Sequence, residues 1–120
     1  MFVFSATGNW GERAATKHLR RNGYNILERN WRTQFAEIDI IAEKGGTLVI
    51  VEVKQRKWTT FGTAGQAVDA RKQRKIKAAA QLYIMKKNIR RNVRFDVIEV
   101  KGEKGAIFSK CTINHIENAF

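Results

Sequence analysis

Apolar residues recur along this chain with two periods, one typical of helices and one typical of strands. The helical period covers residues 10–22 and 66–87, where apolar side chains three or four positions apart form one face. Asn9 is expected to cap the first helix and Gly23 to end it, while Asp69 marks a break or a second cap early in the second. The sequence therefore predicts two amphipathic helices.

Short β-branched runs bounded by turn residues predict five strands, at 24–30, 35–43, 47–55, 93–100 and 106–112, with one helical turn at 114–119. A loop rich in Gly, Thr and aromatic residues is expected at 57–65, before the second helix. The element order is α-β-β-β-α-β-β. At this length we expect a single α/β domain over residues 1–120, a mixed β-sheet flanked by helices.

The second and third predicted strands carry charged residues inside apolar runs, where an unpaired charge is costly. Gly45-Gly46 between them predicts a two-residue hairpin loop, which sets Asp39 directly opposite Glu52 on one face of the sheet. Two carboxylates this close repel each other unless a proton or a cation lies between them. The hairpin therefore indicates a divalent metal site, and the alternative is a surface hairpin with cross-strand ion pairs.

Two further acids are placed by the same reasoning. Glu37 would face Lys54, where it either forms a salt bridge with that amine or is solvated at the start of the strand. Glu12 precedes Ala15 and Leu19 by three and seven positions, so it shares their helical face. It is therefore either a fourth acid of the site or an exposed first-turn Glu favoured by the helix dipole.

Charge and composition narrow the function classes. The 120 residues carry 23 Lys and Arg against 11 Asp and Glu, a net charge of +12 that favours a polyanionic partner, nucleic acid first. Cys111 is the single cysteine, which excludes an intramolecular disulfide and suits a reducing compartment. No signal peptide or membrane span is recognisable, so we expect a cytoplasmic protein that does not bind membranes.

Basic residues concentrate after the third strand and on the second helix, where they could neutralise phosphates: Arg56, Lys57, Arg71, Lys72, Arg74 and Lys75. His18 and His115 are far apart in the sequence and from other soft ligands, which argues against a zinc site. A Ser or Cys nucleophile is unsupported, and no Gly-rich phosphate loop is present.

Asp39 with Glu52-Val53-Lys54 and the upstream Glu12 resembles the signature of the PD-(D/E)xK nuclease-like superfamily. The chain resembles the YraN family of small bacterial proteins more closely, over nearly its full length. Ala36 and Gln66 differ from that pattern, in which Gly and an acidic residue are usual. The matching segments are Gly11-Glu12, Gly23-Tyr24, Arg29-Asn30-Trp31-Arg32, residues 37–42, Val51-Glu52-Val53-Lys54, Phe61-Gly62, Lys72 and Arg94-Phe95-Asp96-Val97.

The resemblance implies a restriction-endonuclease-like fold and a metal-dependent endonuclease site. Asp39 and Glu52 would bind Mg²⁺, or Mn²⁺ in its place, together with the Val53 carbonyl. Glu12 would bind the metal directly or through water, and Lys54 would orient or help deprotonate the attacking water. Archaeal Holliday-junction resolvases are similar in this arrangement, which implies branched DNA as a substrate class.

Two functions follow as expectations. One is a Mg²⁺-dependent DNA endonuclease, and the alternative is a nucleic-acid-binding module that keeps the fold without cleaving. The presence of both Asp39 and Glu52 favours the enzyme, because carboxylates beside phosphates repel DNA unless a metal is bound. Symmetric cutting of a junction calls for two sites related by a two-fold axis, so we expect a homodimer. Substrate structure, sequence preference and the roles of Glu37 and Gln66 stay open on the sequence.

Overall fold

The computed structural model describes residues 10–57, 68–102 and 111–120. The helices and strands, numbered along the chain, are α1 (Trp10–Arg21), β1 (Asn25–Arg32), β2 (Glu37–Lys44), β3 (Thr47–Arg56), α2 (Ala70–Lys86), β4 (Val93–Lys101) and β5 (Thr112–Ile116). Their order confirms the predicted α-β-β-β-α-β-β sequence of elements. The fold is consistent with a restriction-endonuclease-like α/β architecture.

The five strands form one mixed sheet in the order β1-β2-β3-β4-β5. All neighbouring pairs are antiparallel except β3 and β4, which run parallel from Leu48–Val93 to Arg56–Lys101. A parallel pair needs a crossover connection, and α2 lies on the segment between these two strands. The strand that carries Glu52 and Lys54 is therefore at the centre of the sheet.

The two helices cover opposite faces of the sheet. One apolar cluster packs α1, including Ala15 and Leu19, against the inner side of the strands, and a second cluster packs Ile76 and Tyr83 of α2 against the other side. Both predicted stripes are thus buried. Trp10 and Trp31 pack into these clusters, Trp10 at 6% exposure and Trp31 edge-on to Tyr83.

The hairpin between β2 and β3 follows the predicted register. Its ladder extends from Lys44–Thr47 to Ile40–Val51. Gly45 and Gly46 have φ values of +57° and +80°, as the two-residue turn requires at both central positions. Side chains would be strained at these angles, so the glycine pair fixes the register.

Helix ends are set by local hydrogen bonds. After α1, the amides of Gly23 and Tyr24 donate to the carbonyls of Arg20 and Leu19, with Gly23 at φ +85°, which confirms the predicted C-terminal stop. Residue 66, where the second helix is predicted to start, lies outside the described residues, whereas the predicted break or second cap at Asp69 is confirmed. The Asp69 carboxylate accepts a hydrogen bond from the amide of Lys72, so Asp69 is the N-cap and α2 starts after it.

The predicted C-terminal elements also need correction. The last strand is β5, which pairs with Val97–Lys101 of β4, and the predicted helical turn at 114–119 is replaced by the end of this strand and a turn. Cross-strand pairing of Ile113 and Ile116 decides in favour of the strand. The predicted Asn9 cap, the loop up to residue 65, Gln66 and the turn and strand at 103–110 lie outside the described residues.

Within the described part of the chain, neither helix is long and apolar enough to cross a membrane.

Candidate metal and nucleic-acid site

The regular alternation of β2 breaks at Asp39. Ile38 packs with the α2 cluster, whereas Ile40, two positions later, packs with the α1 cluster. In a regular strand these two side chains would share a face. On the neighbouring strand, Asn30, between the Arg29–Ile40 and Trp31–Ile38 pairs, adopts a left-handed conformation with φ +53°. β2 is therefore irregular at Asp39, beyond the last β2–β3 pair, yet the Glu52 carboxylate remains near enough to raise the pKa of Asp39, as the predicted pairing requires.

The Asp39 carboxylate instead points toward β3. Its Oδ2 accepts a hydrogen bond from the Val53 amide at 2.8 Å, beyond the last Ile40–Val51 pair of the ladder. In an extended strand, the amide and carbonyl of one residue point to the same edge. The Val53 carbonyl therefore faces the same gap between β2 and β3 as the Asp39 carboxylate.

Asp39 is electrostatically strained in this position. Burial and the neighbouring Glu52 carboxylate raise the pKa of Asp39 to about 8, against an ordinary value of 3.8, and the Glu12 carboxylate adds to the effect. The hydrogen bond from the Val53 amide acts in the opposite direction and does not offset this repulsion. A negative charge at Asp39 is thus costly unless a proton or a cation compensates it.

Glu12 reaches the same region from α1. The helix lies so close to β3 that a side chain at Gly11 would stand 2.6 Å from the Gln55 Cβ atom, and the Gly11 amide donates to Gln55 Oε1 at 2.9 Å. This close contact fixes the first turn of α1 and the carboxylate of Glu12, which is 11% exposed. The alternative that Glu12 is an exposed Glu of the first helical turn is therefore wrong.

One oxygen of Glu12 lacks a partner. Glu12 Oε1 is buried and accepts no hydrogen bond in the structure, and the nearest cationic atom, Arg29 Nη2, is 4.0 Å away. Burial raises the pKa of Glu12; Arg29 opposes this, while the carboxylates of Glu37 and Glu52 add to it. Glu12 is thus an incompletely compensated acid within the electrostatic range of the hairpin acids.

Glu52 lies on the α2 side of the sheet between two amines. Its side chain is 5% exposed, and its Oε2 is 3.6 Å from Lys54 Nζ and 3.4 Å from Lys72 Nζ. Lys54 extends from the same strand, while Lys72 comes from the first turn of α2, which Asp69 caps. Both amines are partly exposed and so can also reach a bound anion.

Glu37 does not hold Lys54. Its Oε2 accepts a hydrogen bond from Arg32 Nε at 2.5 Å, across the β1–β2 pair, and the ion partner of Lys54 is Glu52. The salt bridge between Glu37 and Lys54 that the regular register predicts is therefore absent. Glu37 is paired with Arg32 in the β1–β2 ladder, whereas the β2–β3 ladder ends at Ile40–Val51, before Glu37 is reached.

The predicted nucleic-acid-binding residues fall into two groups. Lys57, Arg71, Arg74 and Lys75 are exposed. Arg56 is instead paired with the buried Glu99, Nε to Oε2 at 3.0 Å, and Lys72 is part of the acidic site. Of the six predicted residues, only the four exposed ones present their charge to solvent with no acidic partner among the described residues.

The donor set suits a hard divalent cation. The groups that meet here are carboxylate oxygens and one backbone carbonyl, the ligands that Mg²⁺ and Mn²⁺ prefer. Among the described residues, no three His, Cys, Asp or Glu side chains are grouped closely enough to form a preformed metal cage. Mg²⁺ rarely uses such a cage, since it keeps several waters and binds one or two carboxylates together with phosphate oxygens. The unpartnered Glu12 oxygen and the repulsion at Asp39 fit such a cation.

Sequence reasoning overlooked two residues of this region and misplaced a third. Arg29, which faces Glu12, belongs to a matched segment but had no assigned role, and Gln55, which fixes α1, directly follows the matched segment that ends at Lys54. Lys72 was expected to bind nucleic acid, yet it contacts Glu52. His18 and His115, which the sequence separates, are in contact on the α1 side, Nε2 to Nδ1 at 3.2 Å.

Comparison with known proteins gives a consistent result. The family model described as uncharacterised protein family UPF0102 matches residues 11–100. The UPF0102 protein of Persephonella marina is 46% identical over 114 residues, which cover 94% of this chain and 91% of that protein. The UPF0102 proteins of Syntrophomonas wolfei and Alkaliphilus oremlandii are 45% and 46% identical over 116 residues, covering 94% of this chain and 96% of each relative.

Proposed function

This chain belongs to the UPF0102 family, which is the YraN family, and from the chemistry of its site we propose that it is a metal-dependent nuclease that hydrolyses phosphodiester bonds in DNA. The observation that carries the proposal is the group of three acids beside two amines: the Glu52 carboxylate lies between Lys54 and Lys72, and it contributes to the raised pKa values of Asp39 and Glu12. A purely structural hairpin has no need of this repulsion.

The three acids would contact a bound cation in different ways. Asp39 and Glu52 would hold Mg²⁺ together with the Val53 carbonyl, and Mn²⁺ would substitute for it. Glu12, with one unpartnered oxygen, would bind it directly or through a water. When bound, the metal would supply an activated water and a counter-charge for the phosphate. A bound cation would thereby relieve the repulsion between Asp39 and Glu52 when both carboxylates are ionised.

The two amines have complementary positions around Glu52. Lys54 lies on the same strand, with its amine 3.6 Å from the Glu52 carboxylate, and would orient the attacking water or, in its neutral form, accept the proton of that water. Lys72 lies on the opposite side of the Glu52 oxygen, at the start of α2, where it would offset the charge of the phosphate. Exposed Lys57, Arg71, Arg74 and Lys75 would add unspecific phosphate attraction.

The substrate class is proposed on charge and on the resemblance to junction resolvases. A net charge of +12 favours a nucleic acid, and branched DNA is the first candidate. Cutting a junction on both strands calls for a homodimer, which stays a prediction, as does a cytoplasmic location. Sedimentation of the purified protein with and without junction DNA would test the dimer.

The decisive experiment compares cleavage of labelled single-stranded, duplex, flap and four-way-junction DNA, with Mg²⁺, with Mn²⁺ and with chelator. We expect metal-dependent cutting by the parent protein. Asp39→Asn and Glu52→Gln should abolish cutting while DNA binding is unchanged or tighter, because each removes a metal ligand and one negative charge. Lys54→Ala should lower turnover more than it lowers metal affinity.

Two results would contradict the proposal. Equal loss of binding and cleavage in Asp39→Asn would indicate a structural role for that carboxylate. Binding without cutting under every metal condition would favour the alternative function, a nucleic-acid-binding module on the same fold. Parent-like cleavage by Lys54→Ala would refute the role given to that amine alone.

A further inference from the structure

A groove on the outer side of α1 carries only cations and one hydroxyl. It has a volume of about 460 Å³ and is lined by Arg13, Thr16, Lys17, Arg20, Arg21 and Arg29. Within the described residues, no carboxylate lines it. The five cationic side chains give the groove a positively charged lining, which attracts a polyanion.

The sequence pattern explains why these charges are collected in one place. Arg13, Lys17 and Arg20 recur four and three positions apart, so they share one face of α1, on the side away from the buried Ala15 and Leu19. Arg29 of β1 closes the groove from the neighbouring strand. None of these residues belongs to the basic set that the sequence predicted for nucleic acid.

The groove is continuous with the acidic site. Arg29 lines the groove and is also the residue that faces Glu12, with Nη2 to Oε1 at 4.0 Å. A chain of phosphates held in the groove would therefore approach Glu12 at the Arg29 end of the groove.

We propose that this α1 groove binds the phosphate backbone of the DNA strand on one side of the bond that is cut. The proposal rests on the proposed nuclease function. At 1.5 Å per residue, the stretch from Arg13 to Arg21 is about 12 Å long, which matches roughly three to four nucleotides of a B-form strand at 3.4 Å each. The groove thus sets the register of the strand relative to Glu12, Asp39 and Glu52.

The groove is separate from the basic residues of α2. α1 and α2 cover opposite faces of the sheet, so Arg71, Arg74 and Lys75 cannot contact the same few phosphates as Lys17, Arg20 and Arg21. Both triplets are exposed and carry three charges. They form a matched pair of variants, equal in net charge and different in location.

The test measures DNA affinity for the two triple variants, each in the Asp39→Asn background with chelator so that no cutting occurs. We expect Lys17→Ala/Arg20→Ala/Arg21→Ala to weaken binding of a short labelled duplex about ten-fold or more. The slope of log affinity against log salt should become shallower by about 2 to 3, since each phosphate contact contributes about 0.9. Arg71→Ala/Arg74→Ala/Lys75→Ala should weaken binding by a smaller factor, about three-fold, because these side chains add only unspecific phosphate attraction.

Equal weakening by the two triplets would overturn the proposal, since binding would then follow net charge and not the groove. A groove triplet that loses binding to anionic vesicles but keeps DNA binding would also overturn it, in favour of a membrane surface. Circular dichroism melting of both variants excludes unfolding as the cause.

The groove and the nuclease proposal can fail separately. Cleavage by the parent protein tests the nuclease function alone. If the parent cleaves and the two triplets bind alike, the groove proposal is wrong and the nuclease function stands. If the parent never cleaves while the groove triplet alone loses DNA binding, the groove is a phosphate site of a binding module.

Discussion

Replacing Asp39 by Asn tests whether the acids of the site repel one another enough to weaken the fold. The substitution removes a charge but keeps an oxygen that can accept the hydrogen bond from the Val53 amide, which the carboxylate accepts at 2.8 Å. An amide can also donate to Glu52. We therefore expect Asp39→Asn to be more stable than the parent protein when no metal is present, which is unusual for a change at a largely buried position.

The size of the effect follows from the pKa of Asp39. Burial and Glu52 raise it from 3.8 to about 8, and one pKa unit corresponds to 1.36 kcal/mol, so the ceiling is about 6 kcal/mol. Because the side chain keeps some exposure and can move toward water as it ionises, we expect about half, ~3 kcal/mol. The folded state holds the proton more tightly, so the carboxyl costs nothing at low pH and destabilises the fold progressively as pH rises from about 4 to about 8.

The assay is urea unfolding of the parent and the variant at about pH 5 and about pH 9, with chelator and with Mg²⁺. In chelator, the advantage of Asp39→Asn should increase with pH. Mg²⁺ should stabilise the parent and not the variant, because a cation relieves the repulsion only where both carboxylates are present. Glu117→Gln, which removes an exposed carboxylate 3.4 Å from Arg94, controls for the change in net charge.

A variant less stable than the parent in chelator at high pH would refute this reasoning. So would equal stabilisation of both proteins by Mg²⁺. The first result would indicate that the ionised Asp39 is a net stabilising acceptor for Val53, and the second would place the cation elsewhere.

Three further predictions concern positions around the site and on the opposite side of the sheet. Gly11→Ala should destabilise the protein by about 1–3 kcal/mol in urea unfolding, because its Cβ would stand 2.6 Å from that of Gln55; stability equal to the parent's would contradict the close packing. Lys72→Ala should lower the cleavage rate roughly ten-fold or more while Lys75→Ala does not, and similar rates for both would place Lys72 outside the reaction. Asp96→Asn should cost about 3 kcal/mol, because the fully buried carboxylate pairs with Arg94 and His115. Burial raises the pKa of Asp96, but its hydrogen bonds lower this pKa more, so that it lies below the ordinary Asp value. The ionised carboxylate should therefore stabilise the fold at pH values above that ordinary value, and this stabilisation should be lost as the pH falls below it. Unfolding free energies that respond equally little to acid in the parent protein and in Asp96→Asn would contradict this.

Local signals in the sequence were sufficient for the hairpin. Gly45 and Gly46 determine the turn because both need positive φ, and the register followed from the loop length. For Glu12, helical periodicity offered the buried face as one of two alternatives, and the close contact of α1 with β3 decided between them. The turn and the helical periodicity depend on neighbours within a few residues, which a sequence displays directly.

The irregularity of β2 at Asp39 could not be predicted in this way. It coincides with the left-handed Asn30 on another strand and with the packing of Ile38 and Ile40 against different helices. The contact of His18 with His115 likewise depends on the β4–β5 pairing that brings the C-terminal strand beside α1. In both cases the cause is tertiary, and regular periodicity alone predicts the wrong partner.

The parallel pairing of β3 with β4 has a consequence for how the protein is made. Glu12, Asp39, Glu52 and Lys54 all lie in the first half of the chain, but β3 is held on one side by residues 93–101. A chain emerging from the ribosome therefore presents all four side chains long before the strand that supports them is available. The site is completed only when β4 closes the crossover, so a truncated or unfinished chain would contain every proposed catalytic group without arranging them for cleavage.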